Sequence, residues 1–474
     1  MVVGDVTTGT EVLVIGAGPG GYVAAIRAAQ RDLDVTLVER DAYGGVCLNR
    51  GCIPSKAYIT ATGIADDAAN AEEMGVYADP VVDLATMHEW KEGVVDRLTG
   101  GVEKLCKANG VSLVEGTAKF EDEETVRVEH GGEGQGAETM TFEHCIVATG
   151  SRPIELPGFD FADDPILDSA AALDLDTVPD RLVVIGAGYI GMELSTVFAD
   201  LGSDVTVVEM LDGALPGYED DVSRVVRKRA ESKGVDFHFG EGASGWRDAA
   251  DGGIVVTTET EDGTESTYGA DRVLVAVGRE PITDTLDAAE AGLETTDDGF
   301  FETDERCETA VDGIYAVGDV AGEPMLAHTA SAEGIVAAEA IAGEPAAFDT
   351  RAVPAAVFTD PEIATVGLTE AEAAAEGYDP VVGEMPFNAS GRALTLGETE
   401  GFVRIVASED GFVLGAQIVG PEASELIAEP TLAIEMGATL SDVVATVHTH
   451  PTLAEAVMEA AENALGQAIH TLNR

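Results

Sequence analysis

Two stretches 170 residues apart repeat one short pattern: VLVIGAGPGG at 12–21 and LVVIGAGYIG at 182–191. Each is an apolar run ending in G-x-G-x-x-G, with Gly16, Gly18 and Gly21 in the first copy and Gly186, Gly188 and Gly191 in the second. VTLVER and VTVVEM follow, closing on Glu39 and Glu209, each 23 positions after its first glycine. One G-x-G-x-x-G is a weak match. Two at constant offset, each with a strand before it and an acid ending the next strand, predict two Rossmann-like units. In such a unit the first glycine makes the tight turn, and the second lets a pyrophosphate approach the backbone. The third allows close helix–strand packing, and the helix N-terminus faces the phosphates.

Two dinucleotides on one chain make sense when one is a fixed redox cofactor and the other exchanges, and FAD with NAD is the natural pair. The acid ending each second strand accepts from a ribose diol and repels a 2′-phosphate, so Glu209 favours NAD over NADP.

At 474 residues the chain exceeds one ordinary domain. Its charge is extreme: 88 acidic against 26 basic residues, formally −62. A nucleic-acid partner is excluded by repulsion. The acids are spread along the chain with no long single-sign block, which argues for a folded acidic surface rather than an acidic tail. At molar salt the Debye length is about 3 Å, so the self-repulsion becomes nearly local. The expectation is a protein of a salt-rich cytoplasm with salt cations at its acidic surface. No run of eighteen apolar residues spans a membrane, and MVVGDVTTGTEV lacks the basic start of a signal peptide.

The chain has five cysteines, and GGVCLNRGCIPSK sets two of them, Cys47 and Cys52, five positions apart just after the first unit's glutamate. C-x4-C alone is a weak signal. In a regular helix such residues have Cα atoms roughly 8–9 Å apart, whereas a disulfide needs about 4.4–6.8 Å. Bonded sulfurs would therefore require distorted backbone, which Gly51 permits, with Pro54 suited to the following first turn. No further cysteines or histidines at ligand spacing lie near, against zinc. A working dithiol beside the first dinucleotide is the favoured reading. Cys106, Cys145 and Cys307 stand alone and read as inert small side chains. Lys56 carries weight because the chain retains only seven lysines.

With IVATGSRP (146–153), VLVAVGREP (273–281), GIYAVGDVAG (313–322) and HTHPTLAEA (448–456), these motifs resemble the flavin disulfide reductase family, end to end. Within it they look like the branch that oxidises dihydrolipoyl groups with NAD+. The resemblance implies roles by position. Cys52 would be the thiol against the flavin and Cys47 the interchange thiol. Lys56 would lie near the flavin, paired with Glu193. Asp319 would meet the ribityl chain, Glu39 the adenosine ribose, and Gly150 and Gly278 the cofactors. His450 with Glu455 would be the acid–base pair supplied by the other subunit of a homodimer, and His448 is expected to be structural. The peptide before Pro451 is cis in the family. Arg50 departs from the family pattern and is expected to tune the thiolate. The implied partners are lipoyl domains of 2-oxo acid dehydrogenase-type or glycine cleavage complexes.

The expected fold class is α/β, two Rossmann-like domains plus a C-terminal α+β dimerisation domain. Residues 1–150 bind FAD, 151–279 bind NAD, 280–349 complete the FAD site and 350–474 form the interface. FVRIVASEDGFVLGAQIVG predicts a hairpin around Asp410-Gly411. The alternative activity is NAD(P)H-dependent reduction of another disulfide, such as glutathione or an organism-specific small thiol. A mercuric reductase is disfavoured, since no cysteine follows Cys307. A non-catalytic redox sensor would need no acid–base pair.

Overall fold

Val12, Leu13, Val14 and Ile15 are all buried, the run of a strand covered on both faces. In the computed structural model, which describes residues 7–131, 136–250 and 252–473, alternate members point into two cores. Val12 and Val14 pack with Ala24, Ala28 and Ala337; Leu13 and Ile15 pack with Phe120, Val126 and Phe301. The strand Thr7–Ile15 lies parallel between Val35–Glu39 and Ala137–Val147. Ser112–Glu115 extends the sheet beside Val35–Glu39, and Ile314–Ala316 pairs with Ala137–Val147. An antiparallel arm, Thr117–Asp122 and Thr125–Glu129, also joins Ala137–Val147. The helices Pro19–Ala29 and Ala327–Ile341 meet closely through small residues, and a Cβ on Gly334 would lie 2.5 Å from the Gly20 carbonyl.

The second sheet repeats the arrangement. Arg181–Ile185 lies parallel between Asp204–Glu209 and Arg272–Val275, with Asp236–Phe239 and Ile166–Leu167 outside them. A three-stranded antiparallel sheet over 241–270 is appended. Between the two parallel sheets the chain crosses twice, and the crossings pair as an antiparallel ribbon, Ser151–Pro153 against Arg279–Pro281.

The C-terminal part is a five-stranded antiparallel sheet. The predicted hairpin is there: Phe402–Ala407 turns back into Val413–Gly420, with Gly411 at φ +86°. Helices Ala428–Glu435 and Glu455–Ala464 help cover its core. No helix among the described residues is long and apolar enough to cross a membrane.

Candidate active site

Both glycine fingerprints have the same geometry. Gly16 and Gly186 sit at φ +100° and +102°, and a Cβ there would meet the carbonyls of Ala148 and Ala276 at 2.3 and 2.5 Å. Only glycine satisfies both demands. A Cβ on Gly21 or Gly191 would collide with the carbonyl of Gly16 or Gly186, so the third glycine lets the helix pack onto the turn. Gly18 and Gly188 meet nothing within 4 Å and cap their helices, Pro19–Ala29 and Tyr189–Asp200. Each acid is pinned by amides. Ala17 and Asp41 donate to Glu39 at 2.6 and 2.7 Å, and Ala187 and Leu211 donate to Glu209 at 2.8 and 2.9 Å. The pinned carboxylates lie beside the glycine turns, where a ribose adjoining a bound pyrophosphate would sit.

One large cavity opens over the first fingerprint. Gly16, Gly18, Glu39, Cys47, Cys52, Lys56, Gly150, Glu193 and Asp319 all line it, and Tyr189 and Ile190 of the second fingerprint helix reach its wall. Gly21 lies beneath, against the turn. The second fingerprint itself, with Gly186, Gly188, Gly191, Glu209 and Gly278, lies outside that lining. The cradle suits an adenine dinucleotide with an extended group. The open Gly18 backbone at a helix N-terminus suits a pyrophosphate, the pinned Glu39 a ribose diol, and Asp319 a polyol chain.

The cysteines sit where regular helix breaks. A short helix, Gly45–Asn49, stops at Arg50, and a new one, Cys52–Ala69, starts after Gly51. A Cβ on Gly51 would lie 3.1 Å from the Val46 carbonyl, so the fold back over Cys47 leaves little room for a side chain there. Both thiols are free, and they hydrogen-bond one another. That bond, the burial of the thiol and the neighbouring Cys52 charge push Cys47 up. Cys52, which opens on the cavity, is pulled down to about 7 by the Cys47 hydrogen bond and then by the Lys56 ammonium, against partial desolvation. The Arg50 guanidinium lies 3.6 Å from Asp41 on the same cavity wall, and the cation that pulls Cys52 down is Lys56.

Lys56 Nζ lies 2.8 Å from Glu193 Oε2 and 4.5 Å from the centre of the Phe358 ring. Glu193 is 3 % exposed, and its other oxygen accepts from the Phe358 amide at 2.8 Å. One buried carboxylate thus ties the redox helix, the second fingerprint helix and the start of the C-terminal sheet together. Phe358 gives no signal in sequence, because its contribution is a backbone amide and a ring face.

His450 and Glu455 do not line the cavity of their own chain. His450 Nδ1 is 2.9 Å from Glu455 Oε1, while the Thr452 amide donates to the other oxygen at 2.8 Å. Partial burial opposes ionisation of Glu455, but the Thr452 amide and then His450 hold its carboxyl below the usual range. The peptide before Pro451 is cis. The imidazole is 79 % exposed, and Val447 beside it is 95 % exposed. His448 is bound to Glu429 at 2.8 Å, the structural part expected of it. Cys106, Cys145 and Cys307 are buried. His88, Glu92 and Asp174 come close enough to hold a metal, but Lys91 Nζ already stands 2.7 Å from Glu92 and 3.6 Å from Asp174.

A paired-thiol cavity over one of two dinucleotide folds defines a class, and the sequence comparisons agree. Residues 10–334 match pyridine nucleotide-disulphide oxidoreductases and residues 353–461 match their dimerisation domain, so the chain belongs to this family. Such enzymes use FAD and NAD(H). The chain is 72 % identical to dihydrolipoyl dehydrogenase of Haloferax volcanii over 476 residues, covering all of both chains. Identity is 69 % with that of Halobacterium salinarum and 52 % with that of Geobacillus stearothermophilus, again over the full lengths. Among solved structures, LpdA from Mycobacterium tuberculosis superposes with a TM-score of 0.88 at 28 % identity, covering 96 % of this chain and 99 % of that one. The dimerisation match marks the C-terminal sheet as the surface for a second copy.

Proposed function

We propose that the chain is an FAD-dependent dihydrolipoyl dehydrogenase, oxidising dihydrolipoyl groups and reducing NAD+. The observation that carries the reading is the placement of Cys47 and Cys52 side by side on the wall of the dinucleotide cavity, with Lys56 acting on Cys52. Full-length likeness to enzymes named for this activity supports it.

The protein's residues divide the work as follows. His450 of the partner subunit, its Nδ1 side held by Glu455, accepts a proton on Nε2 from one substrate thiol. The thiolate attacks Cys47 of the oxidised pair, the Cys47–Cys52 bond breaks, and Cys52 leaves as thiolate. The substrate's second thiol then attacks the mixed disulfide, releasing oxidised lipoamide and Cys47 as thiol. Lys56 and the Cys47 thiol favour the anion on Cys52. Gly16, Gly18, Glu39, Gly150 and Asp319 hold FAD, and Gly186, Gly188, Gly191, Glu209 and Gly278 hold NAD. Bound FAD supplies the acceptor for the dithiol's electron pair and the hydride donor for NAD+.

The partner that delivers the substrate is a lipoyl domain of a 2-oxo acid dehydrogenase-type complex, and the setting is a salt-rich cytoplasm. The division into 1–150, 151–279, 280–349 and 350–474 is supported by the ribbon at 151–153 and 279–281, where the chain changes sheets. The test is His450→Gln. It is expected to slow dihydrolipoamide oxidation by about 10²–10⁴-fold, the range of a lost acid–base group, and to leave NADH-to-dye electron transfer within about twofold of the parent. Equal losses in both assays would remove His450 from the thiol step.

A further inference from the structure

The two histidines of H-T-H-P have opposite surroundings. In the run 445–451 every residue is exposed except His448. The His448 side chain is 7 % exposed, against 79 % for His450. Nδ1 of His448 meets the Thr446 carbonyl at 2.9 Å, and Nε2 meets both oxygens of Glu429 at 2.8 and 3.0 Å. A carbonyl and a carboxylate both accept, so the ring donates from each nitrogen and has none left to exchange a proton with a thiol. His450 has Nδ1 on Glu455, and its Nε2 has no partner among the described residues.

The loop between the helices Leu440–Ala445 and Glu455–Ala464 is otherwise held only by its own neighbours. The Thr446 hydroxyl donates to Asp442, the Thr452 hydroxyl to the Thr449 carbonyl, and the Thr452 amide to Glu455. Among the described residues, His448 alone in 446–452 hydrogen-bonds to an element beyond the loop and its flanking helices. That element is the helix Ala428–Glu435, which carries Glu429. Ala433 and Ile434 of this helix share a core with Leu453, Ala456 and Val457, so both ends of the bridge are fixed. Contacts on opposite edges of one flat ring set its position and its plane together.

We infer that His448 is a positioning residue for the thiol step: clamped between Thr446 and Glu429, it holds the exposed loop so that His450 is presented to the partner's site at one place. The inference rests on the proposed acid–base role of His450. Asparagine at 448 keeps an amide N–H near the Thr446 carbonyl but falls short of Glu429. Glutamine reaches Glu429 and so keeps the tie to the helix.

The test compares dihydrolipoamide oxidation with NADH-to-dye electron transfer in the purified FAD-loaded enzyme at molar salt, with sedimentation of each variant. The variants are His448→Asn, His448→Gln, Glu429→Ala and the His448→Asn/Glu429→Ala double, with His450→Gln as reference. His448→Asn and Glu429→Ala are each expected to lower kcat for dihydrolipoamide about tenfold, as for a misplaced catalytic group. Their KM and their dye assay should stay within about twofold of the parent, since neither residue is assigned to binding or to the flavin step. The double should be no more than about twofold worse than either single, because both act through one contact. His448→Gln should recover kcat to within about threefold of the parent, and all variants should sediment with it. Parental kcat in His448→Asn and Glu429→Ala overturns the inference. So do multiplying losses in the double, a glutamine variant as slow as the asparagine one, equal losses in the dye assay, or dissociation that follows the loss of activity. Each of these leaves the role of His450 standing if His450→Gln is slow in the thiol step. A fast His450→Gln would remove that role and the inference with it.

Discussion

Cys52 sits at the meeting point of a donor thiol, an ammonium and an open cavity, and its ionisation is the most local consequence of the site. Its thiol is lowered from 9.0 to about 7. The folded protein therefore gives up that proton first, and the reduced pair becomes a monoanion above about pH 7 while Cys47 stays protonated. Thiolate absorbance of the reduced apoprotein is expected to rise through pH 7, and Lys56→Met should move the step upward; a first step near 9 would contradict the described geometry. At the second fingerprint, proposed to hold NAD, the pinned Glu209 is followed by the exposed Met210. Glu209→Gly with Met210→Arg is expected to lower kcat/KM for NAD+ by about tenfold or more, since a buried polar contact to the ribose is lost. It should also raise use of NADP+, and an unchanged cofactor ratio would exclude Glu209 from ribose recognition.

At the scale of elements, long-range ion pairs fasten the folds to one another. Lys233, after the helix Asp220–Ser232, is within 3.0 Å of carboxylates on three elements: Asp66 on the redox helix, Asp200 on the second fingerprint helix, and Asp360 beside the C-terminal sheet. Its side chain is only 10 % exposed, and burial still pushes Asp200 up to about 6. Arg404 makes a second joint, gathering Glu219, Asp221 and Glu384. Removing one partner of a largely buried pair leaves its charges uncompensated, so Lys233→Met is expected to destabilise by about 3 kcal/mol. Calorimetry would show this as a lowered or split transition, and an unaltered melting profile would make the joint ornamental. Glu193 is the corresponding joint at the site itself.

These elements also mark where sequence reading stops. The fingerprints, the pinned acids and the hairpin at Gly411 were legible because glycine and alternation constrain backbone locally, within a few residues of the signal. Cys47 and Cys52 were legible as a pair, since Gly51 offered the needed break. The contact of Arg50 with Asp41 was not, because only three-dimensional distance decides it. The Ser151–Arg279 ribbon, Phe358 and Lys233 were missed for the same reason: each acts on residues more than a hundred positions away.

For the whole molecule the proposed function joins a strongly acidic chain to a site that a second copy would complete. Leu432, Met436 and Val447 are each more than 60 % exposed on a single chain, beside the segment bearing His450. Covering them in a homodimer removes apolar area from water, while a net charge of −62 per chain opposes it. Dilution into low-salt buffer is therefore expected to dissociate the dimer and abolish dihydrolipoamide oxidation, with recovery in molar salt. Sedimentation and activity should change together, and a fully active dimer in dilute buffer would contradict this balance. The same reasoning makes activity depend on mixed dimers: His450→Gln and Cys47→Ser chains, each inactive, should together restore up to half-sites.

In the proposed function the Cys47–Cys52 pair passes substrate electrons to a bound flavin through Cys52. Its most direct test is rapid mixing of dihydrolipoamide with the oxidised, FAD-loaded enzyme without NAD+, followed at long wavelength. The parent is expected to develop the absorbance of a thiolate stacked on oxidised flavin, and Cys52→Ser to develop none while still retaining FAD. Appearance of the same band in Cys52→Ser would contradict the account.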